Sequence, residues 1–360
     1  MHVVGATSAI VIPTLAVVVL GLAWGREPAG GFVVFITLML AASILAAVHH
    51  AEVVAHHLSE PYGSIVLAVV VTVIEVALIV TLTVAALRGA ETLARDTVFA
   101  AVMIACNGIV GLSLMFATRR TFTVSFNADG AGEALAAVAT VSALTLVLPA
   151  FITSGSGPQF SVAPLGFAAV ATFVLYGLFV TLKLAGPRGY FMPTTSAIGP
   201  LDSERAALTT TQRPLASLIL LLLALLSVVG GAKLVLPAIG RDAIGAGLPI
   251  SIVGVAIALL VLLPPAIAAV RAAQGNRIET SLNLAFGSAM ACIGLAIPAI
   301  AIASVWLPLP LRLGLGPAHI VLLVLTFLVA MLSVLPRRAT LPQAGVHLAL
   351  LAAYLFLALT

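Results

Sequence analysis

The amino-acid sequence predicts an all-α polytopic membrane protein of about eleven transmembrane helices, one extra N-terminal helix and two inverted five-helix repeats. Three observations carry that expectation. Hydrophobic residues make up 62% of the 360 residues and charged residues only 8%, where a soluble domain carries about 25% charged residues. The apolar residues also form long continuous runs, whereas a transmembrane barrel requires segments of about ten residues with alternating polarity. Finally, one acid stands in the middle of an apolar run, and all the others lie outside or at the ends of such runs.

That acid is Glu75, in the stretch PYGSIVLAVVVTVIEVALIVTLTVAAL from Pro61 to Leu87. Counted over Gly63 to Leu87, it lies midway. At ~1.5 Å per residue this is near the midplane of a ~30 Å hydrocarbon layer. An acid there costs roughly 2.5–3.5 kcal/mol, which is why intramembrane carboxylates face a cavity, a partner or an ion path.

Taken in order, the spans are cut by clusters of charge, Gly and Pro at 7–24, 31–53, 63–87, 96–117, 133–152, 163–185, 214–238, 247–270, 281–306, 316–335 and 342–359. The first lacks a basic leader and a small-residue cleavage site, so it is expected to remain as a span. One connection, 186–213, is long and less apolar and reads as a loop between two halves. The expected organisation is therefore an extra N-terminal helix within 1–30, a first five-helix repeat over 31–185, a cytoplasmic loop over 186–213 and a second repeat over 214–360. An odd number of spans per half makes the halves insert with opposite orientation. An offset of 183 pairs Asp96-Thr97 with Glu279-Thr280 and Gly111-Leu112 with Gly294-Leu295.

The net charge of +4 comes from Lys and Arg scattered singly or in pairs among the loops. That pattern reads as membrane topology and gives no nucleic-acid surface. Ten basic residues fall on one side and six on the other, which places the N-terminus and the central loop in the cytoplasm. Cys106 and Cys292 lie inside apolar runs without metal-ligand spacing and read as buried thiols.

The candidate site residues follow from the same pattern. Thr72, Glu75 and Ile79 share a helix face, so Thr72 can add a hydroxyl oxygen to a cation held at the Glu75 carboxylate. An acid beside hydroxyl and carbonyl oxygens suits a hard metal ion such as Ca²⁺ or Na⁺ and can also carry a proton. The alternative is an acid buried for packing against a neighbouring helix. In the fourth span, ACNGIVGLSL places Asn107 among glycines, and in the ninth, SLNLAFGSAMACIGLAIP places Asn283, Gly287 and Ser288. Such residues either supply oxygens to a cation or let helices approach closely. Four of the seven histidines, His49, His50, His56 and His57, cluster at the end of the second span. They form a candidate cytoplasmic pH sensor or metal site, with a solvated helix end as the alternative. His319 and His347 read as ordinary helix-end residues.

The stretch HHAEVVAHHLSEPYGSIVLAVVVTVIEVALIV, followed by ARDTVFAAVMIACNGIVGLSL, resembles the first α-repeat of the ChaA-type calcium/proton and sodium-potassium/proton antiporters of the calcium/cation antiporter superfamily. LVLLPPAIAAVRAAQGNRIETSLNLAFGSAMACIGLAIP resembles the second. The resemblance implies ten core helices in two inverted repeats, an added N-terminal span and transport by alternating access. It also implies departures. Where the family's second repeat looks like LLPEG, the second carboxylate falls at Pro265, and Cys292 and Ala296 replace a Ser and a Thr.

The expected function is a proton-coupled cation antiporter of a cell inner membrane, exchanging Ca²⁺ and/or Na⁺/K⁺ for H⁺. Glu75 would hold cation or proton alternately, and Thr72, Asn107, Asn283 and Ser288 would lend oxygens. No cofactor and no covalent chemistry are implied. The rival is a member whose degraded second half-site, at Pro265, leaves it non-coupled or regulatory. An intramembrane enzyme is excluded because the spans lack clusters of His and acid.

Overall fold

The computed structural model describes residues 6–25, 28, 30–58, 62–84, 90–119, 121–151, 162–185, 214–306 and 312–359. Eleven helical rods follow one another along these residues: α1 Ala6–Ala23, α2 Gly31–His56, α3 Tyr62–Val84, α4 Leu93–Thr118, α5 Asp129–Phe151, α6 Val162–Ala185, α7 Pro214–Gly245, α8 Ser251–Gln274, α9 Ile278–Trp306, α10 Pro317–Val334 and α11 Leu341–Leu359. Among the described residues, nine are long and apolar enough to cross a membrane. The other two, α1 and α3, contribute the shorter apolar stretches Ile10–Ala23 and Val69–Thr81. The loop expected over 186–213 lies outside the described residues.

Local chemistry explains several ends. The last turns of α7 and α8 close in the same way. Leu248 N–H donates to Ala243 and Gly247 N–H to Ile244 in the first; Arg277 N–H donates to Ala272 and Asn276 N–H to Ala273 in the second. Both motifs need a residue with positive φ, and Gly247 and Asn276 occupy those positions at 77° and 56°. At α10, Gly316 precedes Pro317, whose missing N–H matters least in the first turn.

The helices pack into two compact units, each drawing on both halves of the sequence. The first comprises 1–90 and 197–253, the second 91–196 and 254–360. In the first unit α7 is the shared neighbour of α1, α2 and α3. Its paired glycines serve two partners, since Leu20 of α1 lies against Gly230 and Leu40 of α2 against Gly231. Ser227 Oγ donates to the Pro13 carbonyl at 3.3 Å, while Ala23 clusters with Val235. Hence α1 runs parallel to α7. By contrast, Val33 and Ile36 cluster with Val235 and Ala238 while Ser43 lines a small void with Ser227, so α2 runs antiparallel to α7. As the first helices of the two halves, α2 and α7 have the opposed directions expected of inverted repeats.

In the second unit α4 is the central rod, with almost every residue from Leu93 to Gly111 buried. Gly111 faces His347 and Leu348 of α11, where an added Cβ would lie 3.0 Å from the Leu348 side chain. Its offset partner Gly294, on α9, faces Tyr176 of α6, and there the Cβ would lie 2.7 Å from the tyrosine Cβ. Each half thus uses its glycine to admit the last helix of a repeat, α11 in one case and α6 in the other. Asp96 and Glu279, also paired by the offset, both sit nearly buried in the first turns of α4 and α9, where a carboxylate complements the helix dipole.

Two local features depart from plain α-helix. Strand β1, Thr123–Ser125, pairs antiparallel with β2, Arg338–Thr340, joining the α4–α5 and α10–α11 connections. The pairing gives two tight turns hydrogen-bond partners that helices cannot supply. Second, α4 and α5 each contain a π-helical turn, Ile104–Ile109 and Ala143–Val147. A π-turn shifts the hydrogen-bond ladder and frees carbonyl oxygen for other donors. The Leu146 carbonyl uses that freedom to accept from Leu315 N–H at 2.9 Å, docking the extended segment before α10.

Candidate cation and proton site

The expected site residues fall in both units. Glu75 and Thr72 lie on α3 of the first; Asn107, Asn283 and Ser288 lie on α4 and α9 of the second. Glu75 is 1% exposed, with Thr72 half-buried one turn before it and Ile79 buried one turn after. A valine- and leucine-rich helix positions it, so the surroundings on α3 itself solvate charge poorly.

On α9, Asn283, Gly287 and Ser288 share a half-buried stripe. Gly287 has open space where a Cβ would be, and Ser288 Oγ donates to the Leu284 carbonyl at 2.7 Å. A serine donating to its own helix keeps its lone pairs outward, which is the orientation a cation needs. The same helix is fastened at its start, where Asn127 N–H donates to Glu279 Oε1 at 3.3 Å and Ser281 Oγ donates to Ser113 Oγ of α4 at 2.6 Å.

Asn107 is placed differently. It is 0% exposed and lies in the π-turn of α4. Its Nδ2 donates to Thr326 Oγ1 of α10 at 2.9 Å, and its Oδ1 faces His347 Nδ1 of α11 at 3.2 Å. His347 Nε2 in turn meets Ser333 Oγ of α10 at 3.1 Å, and Thr326 Oγ1 donates to Met103 Sδ at 3.4 Å. His347 is therefore no ordinary helix-end residue: it is fully buried with a partner on each ring nitrogen. The signal for this was present in the sequence. Ala344, His347, Leu350, Tyr354 and Ala358 form the buried stripe of α11, and Leu323, Thr326, Ala330 and Ser333 that of α10, at i+3 and i+4 steps.

Pro264 and Pro265 lie inside α8. Lacking N–H groups, they leave the carbonyls of Leu260 and Val261 without their intrahelical donors. Where the resemblance leads to the expectation of a second carboxylate, α8 thus offers freed backbone oxygen.

Of the histidines on α2, His50 is buried, its ring edge-on to His49 with centroids 5.3 Å apart, while His57 is exposed and its Nδ1 donates to the Val53 carbonyl at 2.8 Å. The side chain of His56 lies outside the described residues. Among the described residues, no group of three or more His, Cys, Asp or Glu side chains is placed to hold a metal ion.

A polytopic helical membrane protein with a buried carboxylate at mid-span and oxygen-bearing, glycine-containing helices in both halves has the build of a secondary cation transporter. The chain belongs to the sodium/calcium exchanger protein family, whose model matches residues 28–185 and 216–360. It is 42% identical to the y4hA protein of Sinorhizobium fredii, named as an ionic transporter, over 89% of this chain and 86% of that one. To the sodium-potassium/proton antiporter ChaA of Escherichia coli it is 30% identical, over 97% of this chain and 95% of the relative. Its fold matches the crystal structure of the H⁺/Ca²⁺ exchanger CAX with a TM-score of 0.73 at 16% identity, covering 97% of this chain and 87% of that one.

Proposed function

We propose that the protein is a proton-coupled antiporter that exchanges Na⁺, K⁺ or Ca²⁺ for H⁺ across a cell inner membrane by alternating access, with its N-terminus in the cytoplasm. Membership of the exchanger family supports cation antiport. The single observation that carries the coupling to protons is Glu75, 1% exposed in the middle of α3. A carboxylate there carries its charge only at a cost, and loading it alternately with a cation and with a proton is the exchange. Thr72 on α3 and, on α9, Asn283 and Ser288 offer neutral oxygens of the kind that replace a cation's hydration shell, whereas the amide of Asn107 is already engaged by α10 and α11. His49, His50, His56 and His57 sense cytoplasmic pH at the end of α2. The chemistry is binding and release alone, as in a secondary transporter.

The missing second carboxylate decides the preferred ion. One carboxylate balances Na⁺ or K⁺, but it leaves about one uncompensated positive charge on Ca²⁺ in a poorly solvating medium. The test is cation-dependent proton release in proteoliposomes, measured separately with Na⁺, K⁺ and Ca²⁺. Monovalent ions should release protons at concentrations where Ca²⁺ does little. High-affinity Ca²⁺/H⁺ exchange would overturn the selectivity argument, and no proton release with any of the three would overturn the antiport itself.

A further inference from the structure

We propose that Lys233 and Trp24 form a binding site for the phosphate of an anionic phospholipid, at the end of the seam where α1 lies along α7. The site is independent of which ion the protein exchanges and of its coupling to protons.

Lys233 carries a charge that no carboxylate answers. Its ammonium lies 4.8 Å from the centre of the Trp24 ring, and among the described residues no Asp or Glu lies within ion-pair distance of it. The ring attracts the ammonium through its quadrupole but does not neutralise it. It also covers only one side of the group, so the remaining N–H donors still need acceptors. Two turns further along α7, Arg241 and Asp242 are both exposed and cancel in charge.

The place of Lys233 on its helix makes lipid the neighbour. Leu215, Leu222, Leu226 and Val229 of α7 are exposed at helical spacing, and Lys233, also exposed, takes the next step on the same face. One face of α7 therefore runs in leucine and valine along the membrane and ends in an ammonium. On α1 the exposed residues Val11, Leu15, Val18 and Leu22 form a matching stripe, and Trp24, 58% exposed, follows it.

This end of both helices is the membrane surface. Helix α1 stops at Ala23 and α2 starts at Gly31, with Gly25 and Gly30 at φ 79° and 57°. Irregular backbone of this kind stays out of lipid-filled hydrocarbon, where its N–H and C=O groups would lack partners. Ala23 and Val33 pack on Val235, so Lys233, two residues earlier on α7, sits at the level of this turn. Its stem can then lift the ammonium to the headgroups while the methylenes stay among acyl chains. Tryptophan favours the same depth.

These features select the ligand. A phosphodiester oxygen supplies both the acceptor and the negative charge that the ammonium lacks, and the apolar stripes give acyl chains a surface below it. A choline or ethanolamine headgroup brings its own cation to the phosphate, whereas phosphatidylglycerol leaves its charge for Lys233. Trp24 restrains a long side chain that is otherwise mobile, which lowers the entropy lost when the phosphate binds. A lipid held there touches both α1 and α7, adding to the contacts that Leu20 and Ser227 already make across the seam.

Trp24 can serve as its own reporter. The chain has two tryptophans, so Trp306→Phe leaves Trp24 alone to fluoresce. The full chain with that substitution is reconstituted in phosphatidylcholine bilayers, and either phosphatidylglycerol or further phosphatidylcholine is added with brominated acyl chains, whose bromine quenches a tryptophan it touches. The anionic lipid should take the place beside Trp24 with about fivefold preference, the worth of one lysine near an anionic headgroup. Lys233→Gln should bring the ratio of the two lipids to about one, and Lys233→Arg should preserve the preference. Equal quenching by the two lipids before any change at Lys233 would overturn the proposal and leave Lys233 an anchor served by water. A preference that survives Lys233→Gln would overturn it too, since attraction to the general charge of the surface does not hang on one residue. So would a preference lost in Lys233→Arg, which keeps the charge and the donors. Inorganic phosphate added to the same bilayers should not displace the anionic lipid; displacement would assign the site to the free ion and overturn its assignment to lipid.

Discussion

Helices α4 and α9 carry the same vocabulary, an asparagine and two glycines in an apolar rod, and occupy corresponding places in the two halves, yet they do different work. Asn107 is sealed inside the second unit, its amide committed to α10 and α11 and its helix wound into a π-turn. Asn283 and Ser288 lie on a half-buried stripe beside a glycine with open space before it. The adjoining helices differ as well, since α3 carries an acid, Glu75, whereas α8 carries two prolines, Pro264 and Pro265. A repeated motif thus fixes where polar groups sit, while the neighbours decide how deeply each group is buried.

The sharpest test of that contrast is the acid that one half has and the other lacks. Glu75→Gln keeps the shape of the side chain but can neither neutralise a cation nor release a proton. Exchange in proteoliposomes should fall to background while the purified protein elutes as before in gel filtration. Wild-type flux from this variant would move the centre of transport away from α3.

Pro265→Glu should bring the halves closer together by supplying a second carboxylate. It is expected to raise Ca²⁺-dependent proton release relative to Na⁺-dependent release by severalfold, since a divalent ion gains most from the added charge. The continuity of α8 through two prolines favours tolerance of the change, which also restores one helical N–H. An unaltered Ca²⁺ to Na⁺ ratio would show that Pro265 does not face the ion path.

The two asparagines separate stability from transport. Asn107→Ala strands a buried donor on His347 and removes the donor that Thr326 Oγ1 accepts from, and should cost about 1–3 kcal/mol, read as a lower melting temperature. Asn283→Ala, on the half-buried stripe, should cost less stability than Asn107→Ala and raise the cation concentration for half-maximal flux. Equal melting temperatures for the two variants would erase the distinction.

The last comparison belongs to the two glycines of α9. Gly294→Ala pushes a methyl group onto Tyr176 and should cost about 1–3 kcal/mol in thermal stability through overpacking. Gly287→Ala meets nothing within 4 Å and should change stability by about 0.5 kcal/mol or less. A greater loss at Gly287 than at Gly294 would reverse the assignment of packed and open faces on α9.

The sequence by itself determined the eleven helices to within about four residues apart from the end of α7, expected at 238 and found at Gly245 beyond Pro237, because the cost of exposing polar backbone to hydrocarbon forces continuous helices. It also singled out Glu75, since an isolated acid in an apolar run is legible without any neighbour. The likeness between Asp96-Thr97 and Glu279-Thr280 was legible too, and the structure places both acids in first helical turns. Tertiary structure alone decided the rest. Which helices share a unit depends on contacts between residues more than a hundred positions apart, and Gly230 and Gly231 show adjacent residues serving different partners. The π-turns and the β1–β2 pair arise where freed or loop backbone finds partners in distant segments, which no local pattern encodes. His347 marks the boundary between the two kinds of information. Its place on a buried stripe was written in the spacing of α11, but its bonds to Asn107 and Ser333 exist only because three helices converge on one ring.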